Sequence, residues 1–146
     1  MNKKILGIVA LLTLFALRIN AQCVGGTVNI VGSNNMLTAV AGDPSLNFEV
    51  ETSSTADGEY AYIITTDAGD ILGFPPANQI MISGAPAATC YVYGFSYTGD
   101  LDMTATTIAS LTATGCFELS ADWITVTRTV VNSIADNFAQ DAAIFP

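Results

Sequence analysis

The chain has 146 residues, a formal net charge of −9, three cysteines and no histidine, a length that suits one domain with its own core. Lys3, Lys4 and Arg18 fall in the first eighteen residues and Arg128 is the only basic residue after them, which excludes a basic surface for a nucleic-acid backbone. The missing histidine excludes Ser-His-Asp and Cys-His catalysis and imidazole metal sites, and the absence of lysine after Lys4 excludes Schiff-base and Ser-Lys chemistry.

Met1–Ala21 opens with two lysines, continues as a thirteen-residue apolar run from Ile5 to Leu17, and ends on Ala21 before Gln22. That pattern predicts a secretory signal peptide. The run is short of the ~20 residues a helix needs to cross a bilayer, so no stable membrane span is expected. Lipidation at Cys23 is excluded by Gln22 and Asn20, which stand where a small and an aliphatic residue are required. Cleavage after Ala21 leaves thirteen acidic groups against one basic group, a net charge of −12, which favours divalent cations or basic partners over anionic ones.

From Thr27 to Arg128 period-two alternation dominates. Candidate strands are Thr27–Val31, Met36–Val40, Leu46–Glu51, Tyr60–Thr65, Gln79–Ile82, Cys90–Thr98, Leu101–Ala105, Cys116–Leu119 and Trp123–Arg128. Breakers such as Gly42-Asp43-Pro44, Asp67-Ala68-Gly69-Asp70 and Thr98-Gly99-Asp100 separate them. Short strands with turn signals every ~8–12 residues predict an all-β, immunoglobulin-like antiparallel sandwich over residues 22–129. A jelly roll or partly open barrel is the alternative, because periodicity does not order strands. Over residues 130–146 the texture changes: Ile134, Phe138 and Ala142 recur at helical spacing, but the segment is too short for a stable isolated helix and reads as a linker.

Carboxylates carry most of the remaining chemistry. Two of them at glycosidase separation would be the route to hydrolysis, yet high acidity is also a solubility device, and no catalysis is expected. Asp57 with Glu59, Asp67 with Asp70, and Asp100 with Asp102 sit at turns, where carboxylates and backbone carbonyls can converge on calcium, the one candidate cofactor. None follows the twelve-residue helical loop pattern, and the same residues also make ordinary solvated turns. Tyr91, Tyr93, Phe95 and Tyr97 share one face of a strand. Exposed, Tyr91, Tyr93 and Tyr97 with Trp123 would stack on a glycan or a protein; buried, they are core.

Three cysteines in an exported chain predict one disulfide and one leftover thiol. Cys90 with Cys116 is the expected pair, closing a 27-residue loop worth roughly 3.5 kcal/mol by chain entropy. Cys23 with Cys116 is the competing pair if the first and last strands adjoin.

The segments Gly25–Val28, Tyr62–Asp67, Ile71–Pro76, Cys90–Leu101 and Gly115–Ser120, with Trp123–Arg128 close behind, together resemble a recurrent β module of large secreted and surface proteins of Bacteroidetes bacteria. The resemblance covers nearly all of residues 25–128 and implies a non-catalytic structural, adhesion or binding role. The module usually occurs in tandem, whereas one copy is present here, and Val40 stands where a cysteine often precedes its Gly-Asp, which leaves the partner of Cys23 open. Asp141–Pro146 resembles the opening of the C-terminal sorting domain of type IX secretion substrates. These resemblances imply an incomplete precursor that meets the export machinery and then the type IX apparatus, with the product extracellular or on the outer cell surface. Without a sorting tail the expected location is the periplasm, and Ile134, Phe138 and Phe145 would instead pack on the sandwich as a short terminal helix. The runner-up function is a carbohydrate-binding or carbohydrate-active domain using exposed aromatics and carboxylates.

Overall fold

A computed structural model describes residues 22–130 other than 56, 57, 77 and 84. The expected signal peptide Met1–Ala21, Asp57, the Ile134/Phe138/Ala142 pattern and the Asp141–Pro146 motif lie outside the described residues.

The alternating segments form nine strands: β1 (Val28–Ile30), β2 (Met36–Val40), β3 (Asn47–Thr52), β4 (Glu59–Thr66), β5 (Ile71–Gly73), β6 (Gln79–Met81), β7 (Ala88–Tyr97), β8 (Phe117–Leu119) and β9 (Ile124–Thr129). They make two sheets, a small one in the order β1-β3-β6 and a large one in the order β2-β9-β7-β4-β5, with β8 also on β7. All pairings are antiparallel except β2 with β9. In chain order β1, β3 and β6 take the places of strands A, B and E, and β4, β5, β7 and β9 those of C, C′, F and G, which is the immunoglobulin-like sandwich.

The parallel edge arises because the chain changes sheets between β1 and β2. Gly32 takes φ +71° at the turn, a conformation costly for any residue with a Cβ. Asn35 then ties the two sheets together: its side chain bonds Val28 O (2.8 Å) and receives Ile30 N–H (3.3 Å), while its carbonyl receives Thr125 N–H (2.8 Å).

Between the sheets, Val28, Ile30, Val50, Ile80 and Ile82 from the small sheet pack on Tyr62, Cys90, Val92, Ile124 and Val126 from the large one. Each aliphatic side chain buried there contributes about 1.5–3 kcal/mol. A second cluster lies on the outward face of the large sheet, where Ile63, Phe95 and Leu111 pack with Leu101, Ile108, Phe117 and Leu119. It exists because the long connection between β7 and β8 folds back over β4 and β7.

That connection departs from the expected strand at Leu101–Ala105. Only Leu101 makes a bridge, to Ala113, and Asp102 instead accepts from the backbone N–H (3.0 Å) and hydroxyl (2.6 Å) of Thr104. Short polar side chains that satisfy nearby backbone favour a turn over a ladder. A single 3-10 turn, Ile108–Ser110, follows, and the apolar members of the alternation become the lid of the outer cluster.

The disulfide joins Cys23 to Cys116, with Cα atoms 5.7 Å apart, and Cys90 is a buried free thiol. The expected Cys90–Cys116 bond is therefore wrong, for a reason of length. Cys116 sits beside Thr98, bonded to its backbone at 3.1 Å, while Cys90 lies eight residues back along the same strand, about 26 Å away at ~3.3 Å per residue. A disulfide spans less than ~7 Å between Cα atoms.

Candidate ligand-binding face

Strand β7 points Cys90, Val92, Gly94 and Ser96 into the sandwich and Tyr91, Tyr93, Phe95 and Tyr97 outward. What covers the outward set differs along the strand. Phe95 is fully buried, with its ring 5.5 Å from Phe117, 5.6 Å from Tyr97 and 6.4 Å from Phe74. Tyr97 packs on Phe95 and donates its hydroxyl to Glu59 (2.5 Å) on the neighbouring strand, so it belongs to the covered end.

At the other end Tyr91 and Tyr93 lie half-buried on the outward face and meet Trp123, which precedes β9. The Trp123 ring stands edge-on to Tyr91 (6.0 Å, 74°) and tilted against Tyr93 (5.7 Å, 43°), and it is 46% exposed. Adjacent Asp122 reaches instead to the backbone N–H of Val28 (2.8 Å), which fixes the direction in which the tryptophan leaves the sheet. Pairing extends the face sideways: Tyr91 is in register with Thr125, and Thr125 with the exposed Met36 of β2. Burial, and then Tyr91 nearby, pushes the Tyr93 phenol pKa upward, so it is a neutral hydroxyl at physiological pH. The result is a solvent-facing platform in which Trp123 contacts both Tyr91 and Tyr93, with Thr125 in register beside them, suited to stacking on a sugar ring or an apolar protein surface.

The acidic turn residues are spread out. Glu59 is engaged by Tyr97, Asp70 by Thr66 (3.5 Å) and Asp102 by Thr104, whose hydroxyl and N–H hold the Asp102 carboxyl below its ordinary pKa. Asp67 is exposed at the turn after β4. Asp100 and Asp102 are the pair brought together, lining one shallow concavity with Thr112 and Thr114. Among the described residues no group of three or more His, Cys, Asp or Glu could hold a metal ion, and no helix is long and apolar enough to cross a membrane.

Sequence reasoning missed a second concavity. A cleft of about 410 Å³ opens where the β5 and β6 edges part, and Arg128 lines it from β9. Its Nε donates to Pro86 O (2.8 Å) and its Nη1 to Cys90 Sγ (3.4 Å). The signal was present: Ile124, Val126 and Arg128 share one phase of the alternation, which places the arginine with the core. No family model matches the chain, and no curated protein or solved structure is significantly similar to it.

Proposed function

We propose that the chain is a non-catalytic, exported β-sandwich module with a binding or adhesion role, and that it meets its ligand through Tyr91, Tyr93 and Trp123. The observation that carries this reading is the contact of three aromatic rings on the outward face of a sheet whose other outward aromatics are covered. Apolar surface left open beside a built lid marks an interaction site. Export is supported by the signal-like Met1–Ala21 and by the Cys23–Cys116 bond, since disulfides persist in oxidising compartments. Passage through the type IX route to the cell surface rests on the resemblance of Asp141–Pro146.

A glycan ligand is the second reading, favoured by the exposed Trp123 ring held against Tyr93. A glycan array with the purified protein distinguishes the two. Saturable binding to one glycan class, weakened at least about tenfold by Trp123→Ala, establishes the sugar-binding form. A silent array, with Trp123→Ala weakening attachment to cells or matrix protein, establishes the adhesion form. Both forms fall if Trp123→Ala changes neither readout.

A further inference from the structure

We propose that the cleft between the β5 and β6 edges is a binding site for a small carboxylate with an apolar body, of which a medium-chain fatty acid is the simplest example. The cleft holds about 410 Å³, within the ~300–1,000 Å³ range of small-molecule sites. Its walls are mostly apolar, with Ile64 and Ile82 inside and Leu72, Met81 and Pro86 at the exposed mouth, beside the hydroxyls of Thr66, Ser83 and Thr89. Leu72 is 57% and Met81 64% exposed, so an apolar ligand body would take from water two large side chains that the fold leaves open.

The charge in the cleft selects the head group. Arg128 is 6% exposed and is the only cation of the chain after Arg18. Its two partners, the Pro86 carbonyl and the Cys90 sulfur, are both neutral acceptors, leaving Nη2 and one Nη1 proton without a protein partner among the described residues. Burial raises the Cys90 thiol pKa against the smaller opposing pull of Arg128, so the sulfur supplies no counter-charge. Nη2 is not an enclosed atom and so opens onto the cleft, where a largely buried guanidinium without a counter-charge favours an anionic partner. A planar fork with free N–H groups suits a carboxylate, which it receives through two parallel hydrogen bonds. A chain with thirteen acidic residues pairs none of its described carboxylates with this cation, which leaves the position to a ligand.

Titration calorimetry of the purified protein with decanoate, decanol and decyltrimethylammonium tests the assignment. Decanoate is expected to bind at a single saturable site, at least about tenfold tighter than decanol, with no binding of the cation. Arg128→Gln retains the apolar walls and should bring decanoate down to the decanol level. Should that variant fail to fold, Leu72→Asp places a like charge at the exposed mouth and should weaken decanoate at least about tenfold while leaving thermal unfolding unchanged. Equal affinity for decanoate and decanol, decanoate binding that survives either folded variant undiminished, or no decanoate binding at all overturns the proposal.

Discussion

The phenol ring of Tyr60 occupies the space that a Cβ on Gly94 would need, and its hydroxyl donates to the Gly25 carbonyl at 2.8 Å. One side chain thus links the N-terminal segment, β4 and the centre of β7. Gly94→Ala forces the ring away and is expected to cost about 1–3 kcal/mol, as overpacking does. Urea denaturation measures the loss, and adding Tyr60→Ala should remove most of the Gly94→Ala penalty. An unshifted midpoint for Gly94→Ala would show that the ring has room to move.

Disulfide mapping under non-reducing conditions should recover Cys23 linked to Cys116 and Cys90 as a thiol. Because the bond spans a sequence separation of 93, reduction is expected to cost up to about 4.6 kcal/mol by chain entropy. Cys90 should react with an alkylating reagent only when the protein unfolds. Fast labelling of Cys90 in the native protein would contradict its burial.

Stability should fall at both ends of the pH scale. Burial raises the pKa of Tyr60, Tyr62 and Tyr93, and the hydrogen bond to Glu59 raises that of Tyr97, above the ordinary 10.0. Above pH 10 the unfolded chain loses these protons first, so their contribution is complete below that value and drains as pH rises through the folded-state pKa values. Asp43, held by the backbone and hydroxyl of Ser45, and Asp102, held by Thr104, are lowered from 3.8; their contribution is complete above that value and is lost as pH drops further. Melting temperature against pH should therefore show a plateau with two falling arms, and Tyr97→Phe should flatten the alkaline one. A melting curve that rises beyond pH 10 would reverse the assigned sign.

Trp123 is the only tryptophan, so its fluorescence reports the platform directly. Emission should be red-shifted and open to acrylamide quenching in the native state, and ligand should protect it. Trp123→Ala should cost about 1–3 kcal/mol, from two lost ring contacts and the half of the ring that is covered, less than truncation of a core tryptophan. A blue-shifted, unquenchable native spectrum would place the ring in a core instead.

The sandwich was legible because its strands alternate over enough residues to declare a period. The alternation of Met36–Val40 has the bounds of β2, and that of the long β4 and β7 agrees with the strands to within two residues at each end. Strand β5, Ile71-Leu72-Gly73, has no polar residue to alternate with its apolar ones, and only the turn before it, with Gly69 at φ +86°, marks its start. Leu101–Ala105 alternates as a strand does, yet its polar members close a turn and its apolar members form a lid. The same lid explains why the aromatic row could be assigned a face but not a fate: alternation says that Tyr91 and Phe95 look the same way, while a distant connection decides that only Phe95 is covered. The disulfide is not legible in the alternation because strand membership says nothing of position along the strand: Cys90 lies near the start of β7 and Cys116 beside its far end.

The burial of Arg128 also governs how the protein meets proteases. Trypsin-like enzymes cleave after arginine or lysine, and beyond Arg18 the chain offers them one bond, Arg128 to Thr129. That bond lies within β9, with Arg128 in register with Ala39 on one side and Ala88 on the other, and its side chain is turned into the sandwich. Cleavage there must wait for the strand to leave the sheet, so digestion follows the unfolded population rather than the enzyme's access to the surface. The native domain is thus indifferent to an entire class of extracellular peptidase, and a timed tryptic digest becomes a direct clock of its opening.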